Sequence, residues 1–573
     1  MSFISILGSN CRNCYRCVRF CPVKSIRIKG STAQVEEQMC INCGICIKQC
    51  PQRAKRVRGD IDRVKELLSG KDRVVASIAP SFGALFPITL SDATSKLLEL
   101  GFFHVEETAV AAEVVAKEYK KRLESLEDGD FLISSTCSAV KSMIEKYHPS
   151  LIRNLAPIIS PMAAHGQMLK RTFGKDSKVV FICPCIAKKE EALDPFIHGA
   201  VDAVITFTEL YDLLEESVSL TGLYGKENES ETPRATTGRW FPLTGGILTT
   251  AGIKTDLNRG DFLLIDGIEE TQAILSDLEQ GLLKPKFVEI LACKGGCIGG
   301  PASVRDDSLF IKRDRLLKFA AEEIDESLIS TYSGEVELNR SFKSSIVLSP
   351  NPGEKAILEI LASIGKTTPD KELNCGSCGY PSCRDKAIAV FKGMAELEMC
   401  LPYMRDKAEN MANLIIDATP NGIVVVDLNM AVKEFNNAAE NMFGIKSFAI
   451  KGKSISTIMD DSIFYEAIGH NGFLRLKKEY PQFSLVTQVT LLHMENENIV
   501  MAIFIDITES ERQKQGFETV KQETLLKAQE VINKQMRVAQ EIAGILGETT
   551  AESKVLLKKL ISIVEAGGNN DVL

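Results

Sequence analysis

Val179-Val180-Phe181-Ile182-Cys183-Pro184-Cys185-Ile186-Ala187-Lys188-Lys189-Glu190-Glu191 is the stretch on which the fold turns. Its first four residues are β-branched or aromatic with no charge among them, the pattern of a strand buried on both faces. The run stops at two thiols around a proline, which places sulfur at a strand end, where open α/β sheets put their ligands. Further buried runs are Val74-Val75-Ala76-Ser77-Ile78-Ala79-Pro80, Phe131-Leu132-Ile133-Ser134 and Ala203-Val204-Ile205-Thr206. Helical stretches such as Ala109–Leu126 and Glu209–Ser217 lie between or after them. The alternation predicts α/β layers around a mostly parallel sheet. The run at 131–134 also leads straight to a thiol, in Ser134-Ser135-Thr136-Cys137-Ser138. A third motif reads Glu289-Ile290-Leu291-Ala292-Cys293-Lys294-Gly295-Gly296-Cys297-Ile298-Gly299-Gly300, whose glycines allow close approach of backbone to a bound group. Buried structural thiols are the plain alternative.

Outward from this stretch, the 573 residues suggest about four domains at roughly 150 residues each. With 45% hydrophobic and 25% charged residues the composition is that of globular domains, which excludes wholesale disorder. A net charge of −8 with both signs well mixed excludes nucleic acid as the main partner. The outlier is 17 Cys against 6 His and 1 Trp. No basic and apolar leader follows Met1 and no apolar run is long enough to span a bilayer. The expected compartment is therefore reducing cytoplasm, where clustered thiolates mean metal rather than disulfides.

At the N-terminus Cys11-x2-Cys14-x2-Cys17-x3-Cys21-Pro22 is repeated as Cys40-x2-Cys43-x2-Cys46-x3-Cys50-Pro51. This is the spacing of two-cluster bacterial ferredoxins, in which the fourth Cys of each run serves the other cluster. One 4Fe–4S cluster then takes Cys11, Cys14, Cys17 and Cys50, and the other Cys40, Cys43, Cys46 and Cys21. Zinc is the alternative, although it favours CxxC pairs separated by longer loops.

The three motifs of the middle region resemble, in order and wording, those of the iron-only (FeFe) hydrogenases across roughly residues 72–320. The resemblance implies a cube sharing one thiolate with a diiron subsite that carries CO, cyanide and azadithiolate. It implies Cys137, Cys185, Cys293 and Cys297 as cube ligands, with Cys297 the bridging thiolate. Lys188 matches the lysine that hydrogen-bonds one cyanide, Glu191 a carboxylate able to pair with it, and Ala79-Pro80-Ser81 the segment that meets the other cyanide. The departures are equally plain. Thr136 stands where catalytic members carry a proton-passing cysteine, and a hydroxyl of very high pKa is a poor relay. Cys183 and Leu291 replace methionines, and Lys117-Glu118-Tyr119-Lys120-Lys121-Arg122 offers no match for the family's glutamates. Gly299-Gly300-Pro301 shortens the usual glycine-rich tail. Slow turnover is the expectation. Cys183, the one cysteine that four clusters leave over, is either a surrogate proton carrier or a packing residue.

After a linker at Ser349-Pro350-Asn351-Pro352-Gly353, the set Cys375-x2-Cys378-x4-Cys383-x16-Cys400 resembles a small four-cysteine 4Fe–4S domain, with zinc again the alternative. Residues beyond Cys400 carry no thiol. There Ile416–Ile423, the strand 423–427, Glu434-Phe435-Asn436, the short helix Asn436–Phe443, the strand Ile499–Ile507 and Asp506-Ile507-Thr508-Glu509 resemble a PAS domain. His470 and His493 are read as surface or packing residues rather than haem ligands. In 511–566 Leu525, Ile532, Ala539 and Leu546 repeat every seven residues, a coiled-coil seam. Gly547 ends that helix and Thr549-x-x-Glu552 caps the next. Docking of these helices on their own chain is the alternative to dimerisation. Residues 222–238 read as an exposed loop.

The expected architecture is multidomain α+β and α/β. It comprises a ferredoxin-like dicluster module (1–58), an α/β hydrogenase H-cluster domain (59–345), a small helical Fe–S domain (346–405), a PAS domain (406–510) and C-terminal helices (511–573). The implied function is a sensory hydrogenase that cleaves H2 heterolytically and slowly. H2, protons and a redox carrier such as ferredoxin are the implied partners. A homodimer through PAS and helices and an unidentified signalling protein complete the expectation. A metabolic ferredoxin-linked hydrogenase and a non-catalytic Fe–S scaffold are the rivals.

Overall fold

The computed structural model describes residues 2–217, 234–322, 336–545 and 551–566, apart from residues 128, 198, 255–259, 349 and 471. The chain divides into two units, Met1–Met404 and Arg405–Leu573. The first begins with β1 (Ile4–Ile6), β2 (Ile26–Lys29), β3 (Thr32–Val35) and β4 (Lys55–Val57), in two antiparallel pairs, β1 with β4 and β2 with β3. Between them each cysteine run turns into a short helix, Arg16–Phe20 or Ile45–Lys48. The turn is made by left-handed residues at matching places, Asn13 and Tyr15 in one run (φ 51° and 53°) and Asn42 and Gly44 in the other (φ 53° and 75°). Asn and Gly tolerate this conformation best, which explains the repeated Cys-x-Asn-Cys.

The middle of the unit holds two parallel sheets rather than the single sheet expected. Its strands are β5 (Val74–Ile78), β6 (His104–Glu107), β7 (Leu132–Ile133), β8 (Lys178–Cys183), β9 (Ala203–Thr206), β10 (Phe262–Asp266) and β11 (Phe287–Leu291). One sheet runs β6-β5-β8-β9 and the other β10-β11-β7, every pairing parallel. β5 and β8 are buried along almost their whole length, as their apolar runs require. β6 escapes a reading by composition because charged residues occupy three of its four positions when His104 is counted. The helix expected from Glu209 starts two residues earlier, at Phe207. Thr206 and Glu209 cause this: the Glu209 carboxylate accepts from Thr206 N–H (2.7 Å) and Glu209 N–H donates to the Thr206 hydroxyl (3.3 Å), a capping box.

In the second unit β12 (Gly422–Asp427), β13 (Val432–Phe435), β14 (Phe473–Tyr480), β15 (Leu485–Met494) and β16 (Ile499–Asp506) form one antiparallel sheet ordered β13-β12-β16-β15-β14. Short helices including Asn437–Phe443 and Ser462–Ile468 cover it, and Phe443 stacks edge-on against Tyr480, Phe483 and Phe504 in the core. Asp506-Ile507-Thr508-Glu509 opens a helix as well as closing a strand. Thr508 N–H donates to Asp506 (2.8 Å), Thr508 Oγ1 accepts from Val486 N–H (2.9 Å), and the helix Thr508–Ile545 follows. On that helix Leu525 and Ile532 are half-buried and Ala539 is exposed. A neighbouring stripe of Phe517, Val531, Val538 and Ile542 is exposed too. Leu546, Gly547, Thr549, Ser349 and residues 222–233 lie outside the described residues, so the cap and loop expectations there have no counterpart. His493 sits on β15 opposite Val500, and His470 is on the surface. Among the described residues no helix is long and apolar enough to cross a membrane.

Candidate functional site

Both parallel sheets aim their C-terminal strand ends at one cavity of about 100 Å³. β5 delivers Ala79-Pro80-Ser81, β8 delivers Cys183 and Cys185, and β7 is followed by Thr136 and Cys137, all of which line it. Cys297 lines it from the single 3-10 turn Gly296–Gly299, four residues after Cys293, which follows β11. That turn needs its glycine. Gly296 has φ 79°, and a Cβ there would stand 2.3 Å from the Pro242 carbonyl, which itself accepts from Cys297 N–H at 2.7 Å. Cys293 faces a second, larger cleft of about 540 Å³ that Cys43 also lines.

Burial, and after it the neighbouring thiols, raises the pKa of Cys185, Cys293 and Cys297. Burial pushes Cys297 up to about 12, with the nearby Cys137 and Cys185 adding to it, and pushes Cys185 up to about 11. Cys293 is driven well above the ordinary thiol range by burial and then by Cys185, Cys137 and Cys297. Cys185, Cys293 and Cys297 so placed stay protonated unless iron takes the place of the protons. The chemistry of the donor set therefore fits a cationic cluster. Among the described residues no group of three or more His, Cys, Asp or Glu is arranged to hold a single metal ion.

Lys188 enters the cavity from the short helix Ala187–Glu191. Its ammonium donates to the Thr136 carbonyl (3.1 Å) and to Glu191 Oε2 (2.6 Å). Burial works against this charge, but Glu191 and the adjacent thiols outweigh it and the lysine pKa rises. Burial also opposes the Glu191 carboxylate, yet Lys188 and Arg340 hold it down at about 2, and Ser138 donates to it. The other members of Lys188-Lys189-Glu190-Glu191 tie the site outward: buried Lys189 meets Glu209 (3.1 Å), and Glu190 accepts from Asn42 of the dicluster module (2.8 Å). Cys183 is buried, its thiol donating to the Cys185 carbonyl at 3.4 Å and pushed far up by burial.

The other cysteines also gather. One small cavity is lined by Cys40, Cys43, Cys46 and, from the other run, Cys21. Cys375, Cys378, Cys383 and Cys400 line another. Cys17 is raised by burial, with Cys11 and Cys14 adding to it, and Cys50 Sγ accepts from Ala54 N–H at 3.3 Å. Cavity residues that sequence reading missed are Thr108, Ala112, Pro161, Met162, Phe241 and Pro242. Their distance along the chain from every cysteine motif left no local signal.

Comparison with known proteins agrees with this layout. Residues 72–301 match the family model "Iron only hydrogenase large subunit, C-terminal domain". Residues 3–56 match a 4Fe-4S dicluster domain, 372–402 an Fe-S cluster family and 412–477 a PAS domain. The chain is 29% identical over 364 residues to the periplasmic Fe hydrogenase large subunit of Nitratidesulfovibrio vulgaris, covering 52% of this chain and 86% of that one. It is 28% identical to the NADP-reducing hydrogenase subunit HndD of Solidesulfovibrio fructosivorans, covering 44% of this chain and about half (54%) of that one. It is also 31% identical over 186 residues to the cytosolic Fe-S cluster assembly factor NAR1 of Yarrowia lipolytica, covering 28% of this chain and 38% of that one.

Proposed function

We propose that this chain, which carries an iron-only hydrogenase large-subunit domain between Fe–S modules and a PAS domain, is a slow hydrogenase serving as a hydrogen sensor. The observation that carries the reading is the single cavity onto which Cys137, Cys185, Cys297 and Lys188 all face at the strand ends. Cys137, Cys185, Cys293 and Cys297 would hold the cube, with Cys297 shared with the diiron unit. When bound, the diiron unit with its CO, cyanide and azadithiolate supplies heterolytic H2 cleavage, and the 4Fe–4S clusters supply electron transfer.

The chain's own residues prepare for that chemistry. Lys188, kept charged by Glu191, would donate to an anionic ligand and offset its desolvation. Ala79-Pro80-Ser81 would meet the opposite side. Thr136 offers a hydroxyl in place of an acidic thiol, and this sets the slow rate. Cys183 is engaged with a backbone carbonyl, which favours packing over proton carriage. The thiol sets adjoin one another through shared apolar clusters. Cys43 shares an apolar cluster with Cys137 and Cys185, while Cys11 and Cys17 share another with Cys378 and Tyr380. Two glycines close these junctions. A Cβ at Gly44 would stand 2.5 Å from Pro301 and 2.8 Å from Ile186, and one at Gly379 would stand 3.0 Å from the Tyr15 carbonyl and from Val18.

The PAS domain and the helix after it support the sensory assignment, with a homodimer as the form that signals to a downstream protein. Dye-linked H2 turnover of fully matured protein tests the reading: a rate orders of magnitude below that of metabolic hydrogenases is expected, and a comparable rate rejects it. The relative named as a cluster assembly factor favours a second reading, a non-catalytic Fe–S scaffold. That reading expects no turnover at all and no retained diiron unit.

A further inference from the structure

Among the described residues the cavity lining contains no Asp, Glu or His, and its titratable members are thiols and Lys188. The helix Ala109–Glu124 presents Ala112 to it, not a carboxylate. A proton arriving at the cavity needs another way in. One polar exit, Ser138 to Glu191, runs into the cations Lys188 and Arg340, which have no acceptor atom.

A second file leads to the surface. Thr108 lines the cavity, and its Oγ1 lies 2.7 Å from Ser77 Oγ. Ser77 Oγ lies 2.7 Å from His165 Nδ1. His165 Nε2 lies 3.4 Å from Glu106 Oε1, within ion-pair reach though outside hydrogen-bond alignment, and it has no other partner. Glu106 Oε2 lies 3.3 Å from His104 Nε2, whose side chain keeps 21% of its exposure. Ser77 and His165 are wholly buried. Sheet register builds the file: Ser77 on β5 stands opposite Glu106 on β6, and His104, two residues earlier, shares that face. The helix Pro161–Phe173 lays His165 over it. Burying these groups inside an apolar core carries a cost that apolar side chains would avoid.

We propose that Thr108, Ser77, His165, Glu106 and His104 form the path by which protons pass between water and the cavity. The inference rests on the hydrogenase reading above. Inward, Glu106 takes a proton from His104 and gives it to His165 Nε2. His165 releases its Nδ1 proton to Ser77, Ser77 passes its own to Thr108, and the Thr108 hydroxyl proton enters the cavity. Each residue gains one proton and loses one, Glu106 and His165 at different atoms, and no electron moves. Turning of the Glu106 carboxyl, rotation of the hydroxyls and a flip of the imidazole complete and reset the file.

The test is a pH jump on the diiron-loaded full chain, following the infrared bands of CO and cyanide as they move to new positions. A path sets the rate of that movement and leaves its end point alone, whereas a structural tie shifts the end point. His165→Gln and Glu106→Gln are expected to slow equilibration about a hundredfold with unchanged final bands, and Thr108→Val to slow it as well. If His165→Gln fails to load, Thr108→Val and His104→Gln carry the test from the two ends of the file. Wild-type rates in the variants that load overturn the path while leaving the hydrogenase reading intact. Absence of such bands in the wild type removes the destination and overturns both.

Discussion

The two parallel sheets meet at one cavity and bring different chemistry to it. The three-stranded sheet is followed by Cys137, Cys293 and Cys297, a sulfur set, and its buried carboxylate Glu289 makes no ion pair among the described residues. The four-stranded sheet is followed by Cys185 and Lys188, and its interior carries the Ser77–His165–Glu106 contacts. The contrast teaches that three of the four cube thiols come from one layer, while the buried charge-handling groups, with the fourth thiol, Cys185, come from the other. Damage to one should leave the other in place.

The largest effect is expected at Cys297. Cys297→Ser removes the thiolate assigned to both the cube and the diiron unit. Diatomic-ligand bands should vanish while the dicluster module keeps its iron and its electron paramagnetic resonance signals. Loss of the ferredoxin-type signals as well would show that the sheets and the module do not behave separately. Next comes Thr136→Cys, which supplies an acidic thiol at the cavity. Turnover of matured protein should rise by about a hundredfold, and an unchanged rate would refute the missing-relay account.

The two buried carboxylates sharpen the contrast through pH. Glu191 is held at about 2, below its unfolded value, by Lys188 and Arg340 against the opposing effect of burial. Its stabilisation is therefore present above pH ~4.5 and lost as pH falls toward 2, a change of about 3 kcal/mol. Burial raises Glu289 to about 8 against the opposing backbone N–H groups of residues 245–248. A carboxyl raised in the fold stabilises only while protonated, so stability declines between pH ~4.5 and 8. Glu289→Gln should thus melt higher than wild type at pH 8, and Glu191→Gln lower, in parallel thermal scans. The smallest effects belong to Gly44→Ala and Gly379→Ala, about 1–3 kcal/mol each through overpacking at the module junctions. Thermal melting should show them, with a change in magnetic coupling between clusters if the junction spacing shifts.

Much of this was open to reading from sequence because thiol spacing is local. Each cysteine run carries its own period, and the apolar runs at 74–80 and 179–182 become β5 and β8. The second sheet was legible only at β7, read from 131–134: β10 is half-buried throughout and β11 is interrupted by Glu289. The cavity walls at Thr108, Met162 and Phe241 come together only through strand pairing and helix packing. Arg340 reaches Glu191 from about 150 residues away. No periodicity encodes such a contact, and buried polar pairs such as Ser77–His165 look like ordinary strand and helix residues until the register is known.

The infrared spectrum of the full chain after supply of a synthetic diiron unit addresses the central claim most directly. Sharp CO and cyanide bands in the wild type, displaced by Lys188→Met and absent in Cys297→Ser, are the predicted result. A spectrum without them, in protein whose Fe–S clusters are otherwise complete, would contradict it.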